Sequence, residues 1–483
     1  MTSIQQSSLY GSLFELVARG KKDGYFVRDN DDSYLPFNGA YDPVAPFLKE
    51  RRTFVPLNAS PFGNTFEVEI EPYGDILKEC TLLIDLPSWF PPLKVLPGTD
   101  PVDPIQANSY YWIKGTDGIS YGYVNYIGYL LFEKIQFYQD QILIDEYSGD
   151  ALLATSLKQG SWNSSFLDQT VAGVTQDDDR SMAFRATPRR LRVSLPLPGM
   201  QCKGDGGFPL CAMTNQTYRL RIKMRKLEDL VVSSDRQIKP QPWSVPGFTY
   251  TMDGGQNVVF QPLSRPQIGQ PTVLLETIQV YVDLEVQAKI RQTGFQIPFR
   301  RTFENIFTFG EKDYAPIDRG SIATVTRRLD GRHPTERLVF FFRTQDAIDR
   351  NQLSNFLDPS GLYNNFYSNV KLVIAGQDRE YYWEPFVWRE LEELAKDERD
   401  TGLNFGEIGW HLGDVYERER PYSRQPEGTV NFTTADRPTI YVELQNVPRS
   451  ETIKQRGSEM RVFTQGWALY EIQNGRGHLV FAN

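Results

Sequence analysis

Gly118-Ile119-Ser120-Tyr121-Gly122 has the spacing of a nucleophile elbow, in which a serine on a sharp strand-to-helix turn attacks an acyl carbon. That chemistry needs a buried strand before the serine and a helix after it. Here the polar turn Lys114-Gly115-Thr116-Asp117 comes first and a strand-like aromatic stretch follows, so hydrolysis is not expected. The three histidines, His333, His411 and His478, never stand three or four residues apart, which removes a helical pair of metal ligands. His333 precedes a proline and reads as a structural turn residue. Asp177-Asp178-Asp179 lacks the alternating spacing and closing glutamate of a calcium loop and reads as a solvated loop. No GxxxxGK[ST] occurs and no GxGxxG opens a helix after a strand, so nucleotide binding has no support. Cys80, Cys202 and Cys211 form no CxxC pair; this sparse, odd set suggests a reducing compartment and neither a disulfide framework nor structural zinc. No catalytic, cofactor-binding or metal-binding residues are therefore expected.

Four N-x-[ST] sequons occur, at Asn58, Asn163, Asn215 and Asn431. Pro61 follows the Asn58 sequon and hampers modification there, which leaves Asn163, Asn215 and Asn431 as glycosylation candidates. The N-terminus shows no basic segment followed by a long apolar one. A secretory signal is thus not expected, and without one the host secretory route does not reach these asparagines.

The remaining sequence is patterned for strands. In 483 residues there are 30 Phe and 25 Tyr beside 37 Gly and 31 Pro, an aromatic and turn-rich composition that suits many short strands. Phe66, Val68 and Ile70 alternate with Glu67, Glu69 and Glu71; Leu191, Val193 and Leu195 alternate likewise, as do Ile440, Val442 and Leu444. Tyr218, Leu220, Ile222 and Met224 interleave with Arg219, Arg221, Lys223 and Arg225, giving a strand with one basic face. The longest alternation runs through Ile278, Val280, Val282, Leu284, Val286, Ala288 and Ile290, and predicts a strand over 278–290. Helices are expected only at Ser12 to Arg19 and Pro385 to Arg399. The proline-rich stretch Ser233 to Pro271 reads as a linker or long loop between two β domains. The densest apolar run, Leu338 to Phe342, falls far short of the roughly 18 residues of a membrane span. A net charge of −9 has the wrong sign for coating phosphate backbones.

Several fragments, in order along the chain, resemble the major capsid proteins of nucleocytoplasmic large DNA viruses. Gly11 to Gly20 with Asp23 and Tyr25 resembles the family's N-terminal motif, and Phe47 with Glu50-Arg51-Arg52-Thr53 its next segment. Gly74-Asp75-Ile76-Leu77 and Leu82 to Pro87 are similar to its first strand pair. Tyr126-Ile127-Gly128 to Ile135 and Gln141 to Asp145 resemble a hairpin whose paired glycines are absent here, Tyr138 to Asp140 standing in their place. Leu195 to Pro198 and Phe208-Pro209-Leu210 resemble the end of its first jelly roll. His333-Pro334 with Leu338-Val339-Phe340, Ala375-Gly376-Gln377-Asp378-Arg379, Gln425 to Phe432 and the ending Ala468 to Asn483 resemble the second.

The resemblance implies an all-β fold of two consecutive eight-stranded jelly rolls, a double jelly roll with few short helices in loops. It implies an N-terminal arm at 1–30, a first jelly roll at 31–235 and a second at 236–483, with 236–270 as the linker. The function implied is structural, not enzymatic: a homotrimer with a pseudo-hexagonal outline that tiles an icosahedral shell of a large DNA virus. A minor or penton-like capsid protein of the same fold is the alternative, and a carbohydrate-binding β-sandwich the reading from another class. Its partners would be its own copies, neighbouring capsomers and minor capsid proteins, with no direct nucleic acid binding and no membrane insertion. Leu13, Phe14, Leu16, Val17 and Arg19 would be arm contacts on the inner shell surface, and the basic strand Arg219 to Arg225 either a solvated face or a salt-dependent contact to an acidic neighbour. The location implied is the virion capsid, assembled in the host cytoplasm or a viral factory.

Overall fold

Alternating residues become strands where one face has a core to cover. In Thr65–Glu69 the side chains of Phe66 and Val68 are buried and Glu67 and Glu69 are turned outward; in Tyr218–Met224, Tyr218, Leu220, Ile222 and Met224 are buried. The structure is a computed structural model that describes residues 47–87, 114–119, 121–158, 170, 190–201, 206–213, 216–233, 239–251, 257–314, 322–354, 356, 367–383, 405–410, 426, 428–435, 438–444 and 457–480. The helices expected at Ser12 to Arg19 and Pro385 to Arg399, and the arm at 1–30, lie outside these residues.

Four four-stranded sheets stack in two pairs. In the first pair, one sheet runs in the order Phe47–Phe54, Thr272–Val282, Ile76–Asp85, Leu191–Ser194; the other runs Thr65–Glu69, Tyr218–Met224, Phe132–Gln139, Ile142–Tyr147. In the second pair, Phe295–Phe309, Ser458–Gln473, Pro334–Thr344 and Phe405–Gly409 face Ala323–Arg328, Thr439–Leu444, Tyr367–Ile374 and Gln377–Trp383. Each pair is an eight-stranded sandwich, so the chain is a double jelly roll as the resemblance implies. Two short strands, Val430–Asn431 and Arg476–Leu479, add to the larger sheet of the second barrel.

The chain departs from the sequence reading in three places. The strand expected over 278–290 stops at Val282, and Leu284–Gln292 is a helix. Past Val282 the alternating apolar residues have no facing sheet: Leu284 is 78% exposed and no residue of the helix is buried. Without burial to reward a strand, Leu, Glu, Gln, Ala, Lys and Arg settle into the helix they favour. The stretch read as an irregular linker holds the hairpin Phe248–Thr251 to Asn257–Phe260, which extends a small sheet begun by Lys114–Gly115. Finally, Thr272–Val282 pairs with Ile76–Asp85, so hydrogen bonding carries the first barrel's sheet well past residue 235.

Tight turns set the registers. Asp140, at φ 51°, takes the left-handed conformation that glycine would occupy in the hairpin Phe132–Gln139 to Ile142–Tyr147. Its carboxylate accepts from the Thr217 amide and hydroxyl at 2.9 and 3.0 Å, which ties the hairpin tip to the neighbouring loop. Two other hairpins turn on two residues that both have positive φ, the geometry of a type I′ turn: Asn474-Gly475 and Ala375-Gly376. Asn-Gly is the residue pair this turn prefers, whereas Ala375 at φ 53° brings its Cβ close to a carbonyl. Ala375→Asn is therefore expected to stabilise the protein by about 1 kcal/mol, read from the denaturant midpoint; an unchanged or lower midpoint contradicts the assigned turn.

Candidate functional site

The densest apolar run in the sequence marks the contact between the barrels. Leu338, Phe340 and Phe342 point into the second barrel's core, while Val339 and Phe341 from the same strand belong to the core of the first. A strand buried on both faces reads as a continuous apolar run instead of an alternation. Phe341 packs against Phe356, Phe405 and Phe463 with ring centroids 4.7, 5.4 and 5.6 Å apart. Residues Leu48 to Asn483 accordingly make one compact unit.

Beside this apolar layer lies a buried charge cluster. The helix Gly149–Lys158 starts where Gly149 passes so close to the Tyr129 and Phe132 carbonyls that a Cβ would collide with them. Ser148 caps it, its hydroxyl accepting from the Ala151 amide at 3.1 Å. Asp150, in the first turn, is fully buried and meets three guanidiniums. Arg343 bonds one carboxylate oxygen; Arg461 and Arg225 reach the other at 2.8 and 2.6 Å. Arg225 comes from the first barrel and the other two from the second. Burial by itself raises the Asp150 pKa, but Arg343, Arg461 and Arg225 outweigh it and hold the carboxyl well below its usual range. Glu459 and Glu304, the latter 3.0 Å from Arg461, complete the neutralisation.

Further polar contacts cross the same seam. The Gln201 side-chain amide donates to the Arg300 carbonyl at 2.7 Å and its oxygen accepts from the Arg300 amide at 2.6 Å. Arg300 in turn pairs with Glu336 at 2.9 Å and stacks 4.3 Å above the Trp467 ring. The Tyr470 hydroxyl bonds Gln139, whose amide reaches the Gly477 carbonyl at 2.8 Å. Asn351, in a left-handed conformation, donates to the Glu228 and Val231 carbonyls at 2.5 and 2.9 Å. Sequence reading passed over all of these, because isolated Asp, Gln and Asn residues carry no spacing signal.

The residues singled out from sequence fall in different places. Asn431 is exposed, and its side-chain oxygen accepts from the Thr433 and Thr434 amides at 3.0 and 3.2 Å. Asn163, Asn215 and the arm residues Leu13, Phe14, Leu16, Val17 and Arg19 lie outside the described residues, as do Ser120 of the elbow-like motif and His411. His333 sits in the turn expected of it, at φ 68°, its amide donating to the Thr433 hydroxyl at 2.8 Å. The basic strand does not offer a free cationic face. Arg221 and Arg219 share Glu67 at 2.7 and 3.4 Å, Lys223 pairs with Glu133 at 2.6 Å, and Arg225 is committed to Asp150. Among the described residues no group of three His, Cys, Asp or Glu is arranged to hold a metal ion, and no helix is long and apolar enough to cross a membrane.

Two sandwiches of eight strands, joined side by side through a common core, define the double jelly-roll class. No family model matches the sequence, and no characterised protein matches it by sequence. Among solved structures the chain is similar to the PBCV-1 protein VP54, whose crystal structure was fitted into a reconstruction of the virophage Sputnik: 14% identity, 92% of this chain and 100% of that one, TM-score 0.64. It is also similar to a chain of the PBCV-1 capsid (14%, 92% and 100%, TM-score 0.62) and to the Faustovirus major capsid protein (11%, 92% and 93%, TM-score 0.56). At such identities what is shared is the fold, over nearly the whole chain.

Two carboxyls at the seam have opposite pH behaviour. The depressed Asp150 pKa means its contribution is fully present above the unfolded value near 4 and is lost as pH falls. Asp150→Asn removes the charge that three guanidiniums share, leaving Arg225 without a carboxylate and Arg343 and Arg461 with only Glu459 and Glu304, and is expected to cost about 3–5 kcal/mol, measured by denaturant unfolding at pH 7. Asp145 is the reverse case. Burial pushes its carboxyl up to about 8, the Arg301 guanidinium offsetting only part of that. Stability from a raised carboxyl is complete below the unfolded value and drains away as pH rises through about 8. Asp145→Asn is thus expected to match the parent near pH 3 and to exceed it in thermal midpoint at pH 9; equal midpoints at pH 9 contradict the assignment.

Proposed function

We propose that this protein is a structural capsid protein, which trimerises into pseudo-hexagonal capsomers that tile an icosahedral shell of a large DNA virus. The observation that carries the reading is the pair of eight-stranded barrels fused through one core, in a fold shared over nine-tenths of the chain with virus capsid proteins. Two similar barrels per chain, repeated three times about an axis, give six similar corners, and a six-cornered block covers a surface without gaps. Its location would be the virion capsid, with assembly in the host cytoplasm or a viral factory. Its partners would be its own copies, neighbouring capsomers and minor capsid proteins, without nucleic acid binding. We read the role as structural rather than catalytic, because the buried charges of the described residues are paired with one another across the seam. The strand pairing supports a first barrel that ends at Val282 and a second that begins at Phe295, joined by the helix Leu284–Gln292. Exposed Asn431 is the sequon we propose as open to a glycan if the chain meets the modifying enzyme.

Light scattering on the purified chain tests this reading. A mass of three chains at micromolar concentration, with a six-cornered outline in negative-stain images, is expected. A strictly monomeric species under those conditions overturns it.

A further inference from the structure

Among the sheet edges, one differs from the rest. The outer strands Phe47–Phe54, Leu191–Ser194, Thr65–Glu69, Ile142–Tyr147, Phe405–Gly409, Ala323–Arg328 and Gln377–Trp383 are 4 to 8 residues long, whereas Phe295–Phe309, at the edge of the second barrel's larger sheet, has 15. Its free side can be read from Arg300. The Arg300 amide and carbonyl both bond the Gln201 side chain, so they point away from the paired strand Ser458–Gln473. By the two-residue repeat of a strand, the even-numbered residues present their backbone groups outward. Pro298 fits this parity, since a missing N–H is tolerated on a free side. Gln201 thus plugs the edge at Arg300. Beyond it, the outward backbone groups of Thr302, Glu304 and Ile306 have no backbone partner among the described residues.

These three residues line a cleft of about 850 Å³ between the barrels. Three cations on its walls, Lys226, Arg301 and Arg332, have no carboxylate within 4 Å among the described residues, and the other cations of the lining are already paired; of the lining carboxylates Asp330 alone lacks such a cation partner, so positive charge remains in excess. Ile306 adds an apolar side chain that is 51% exposed. An unpaired strand edge, a surplus of positive charge and an apolar spot together match one kind of ligand.

We propose that this cleft takes an extended acidic peptide segment of another protein, which adds as a strand to the free edge at Arg301–Phe307, short of Thr308, whose carbonyl already accepts from Arg327. The main chain of the segment would supply the hydrogen bonds, and its carboxylates would meet Arg301, Arg332 and Lys226. Edge pairing gives a use to the stretch past Pro298 and the Gln201 plug on what is the longest outer strand among the described residues. The inference rests on the capsid reading for its biological setting, in which a second shell protein is the natural source of the segment.

The test uses the full-length protein and a fluorescein-labelled nine-residue peptide of alternating valine and glutamate, followed by fluorescence anisotropy. Saturable binding below about 1 mM is expected, weakening as salt rises from about 50 to 500 mM. Ile306→Pro removes one outward N–H at a position equivalent to Pro298 and is expected to abolish binding while the thermal midpoint and assembly state are kept. Arg301→Glu with Arg332→Glu is expected to weaken binding at least about tenfold. The same peptide N-methylated at alternate residues keeps its charges and is expected not to bind. Equal binding of the methylated peptide reduces the cleft to an anion site and overturns the proposal, as does absence of binding to 1 mM. Binding that disappears because copies of this chain occupy the cleft, seen as recovery on dilution, assigns the edge to self-assembly and also overturns it. A trimer that fails to bind sinks this inference alone, and a monomer that binds sinks the capsid reading alone.

Discussion

The structure depends on one shared strand pair. Phe295–Phe309 and Ser458–Gln473 run antiparallel through fifteen consecutive residue pairs, long enough to belong to both barrels. At one end Phe299, Ala468, Tyr470 and Ile472 join the first barrel's core; at the other Phe309, Met460 and Val462 join the second. A rotation of one barrel against the other would have to break this ladder or pull aromatic side chains from two cores at once. The change of allegiance along the pair coincides with Gly466. A Cβ there would crowd the Arg332 carbonyl, and the adjoining strand slips register between Thr335 and Arg337. A glycine opposite a bulge lets a long strand twist sharply and serve two sandwiches.

That ladder also fixes which polar groups become buried. Arg343 and Arg461 lie on strands clamped between the barrels, the first guanidinium fully buried and the second largely so, and Asp150 at a helix start supplies the opposite charge. Apolar residues of equal volume would serve cohesion as well, because desolvation consumes most of the Coulomb attraction of a buried pair. What the charges add is direction. An apolar seam tolerates sliding, whereas one carboxylate held by guanidiniums from three separate segments accepts a single alignment. The outward pairs such as Arg190 to Asp85 and Lys239 to Asp229 have no such leverage, since water screens them.

How much of this could be read in advance depended on the range of the signal. Alternation is local, so Phe66 to Glu71 and Tyr218 to Arg225 announced both the strand and its buried face. The run Leu338 to Phe342 announced unusual burial but not its cause, because two-sided packing needs a second barrel that no local window contains. Ile278 to Ile290 misled for the same reason: period two continued past Val282, but the facing sheet did not, and Leu284 was left in solvent. The basic face of Arg219 to Arg225 seemed available for a neighbour because its counter-ions, Glu67, Glu133 and Asp150, lie 75 to 154 residues away in sequence. Ordered motif fragments carried the fold further than periodicity did, since they preserve long-range information that a single window loses.

A chain with this many sheet edges has to suppress random strand pairing without making itself inert. Most edges here are suppressed by brevity, and the eight-residue edge Phe47–Phe54 by Lys49, Glu50, Arg51 and Arg52. Gln201 is a subtler device. One side-chain amide presents a donor and an acceptor with the spacing of a backbone pair and so ends the edge at Arg300 without adding a strand. The long strand cannot be shortened, because its length is what joins the barrels, and it cannot be filled with inward charges, because both ends lie in cores. Its remaining free stretch is therefore a consequence of the fusion itself. A double barrel built on a shared ladder leaves one strand edge at the groove between its halves, and the surplus cations along that groove decide which sequences can approach it.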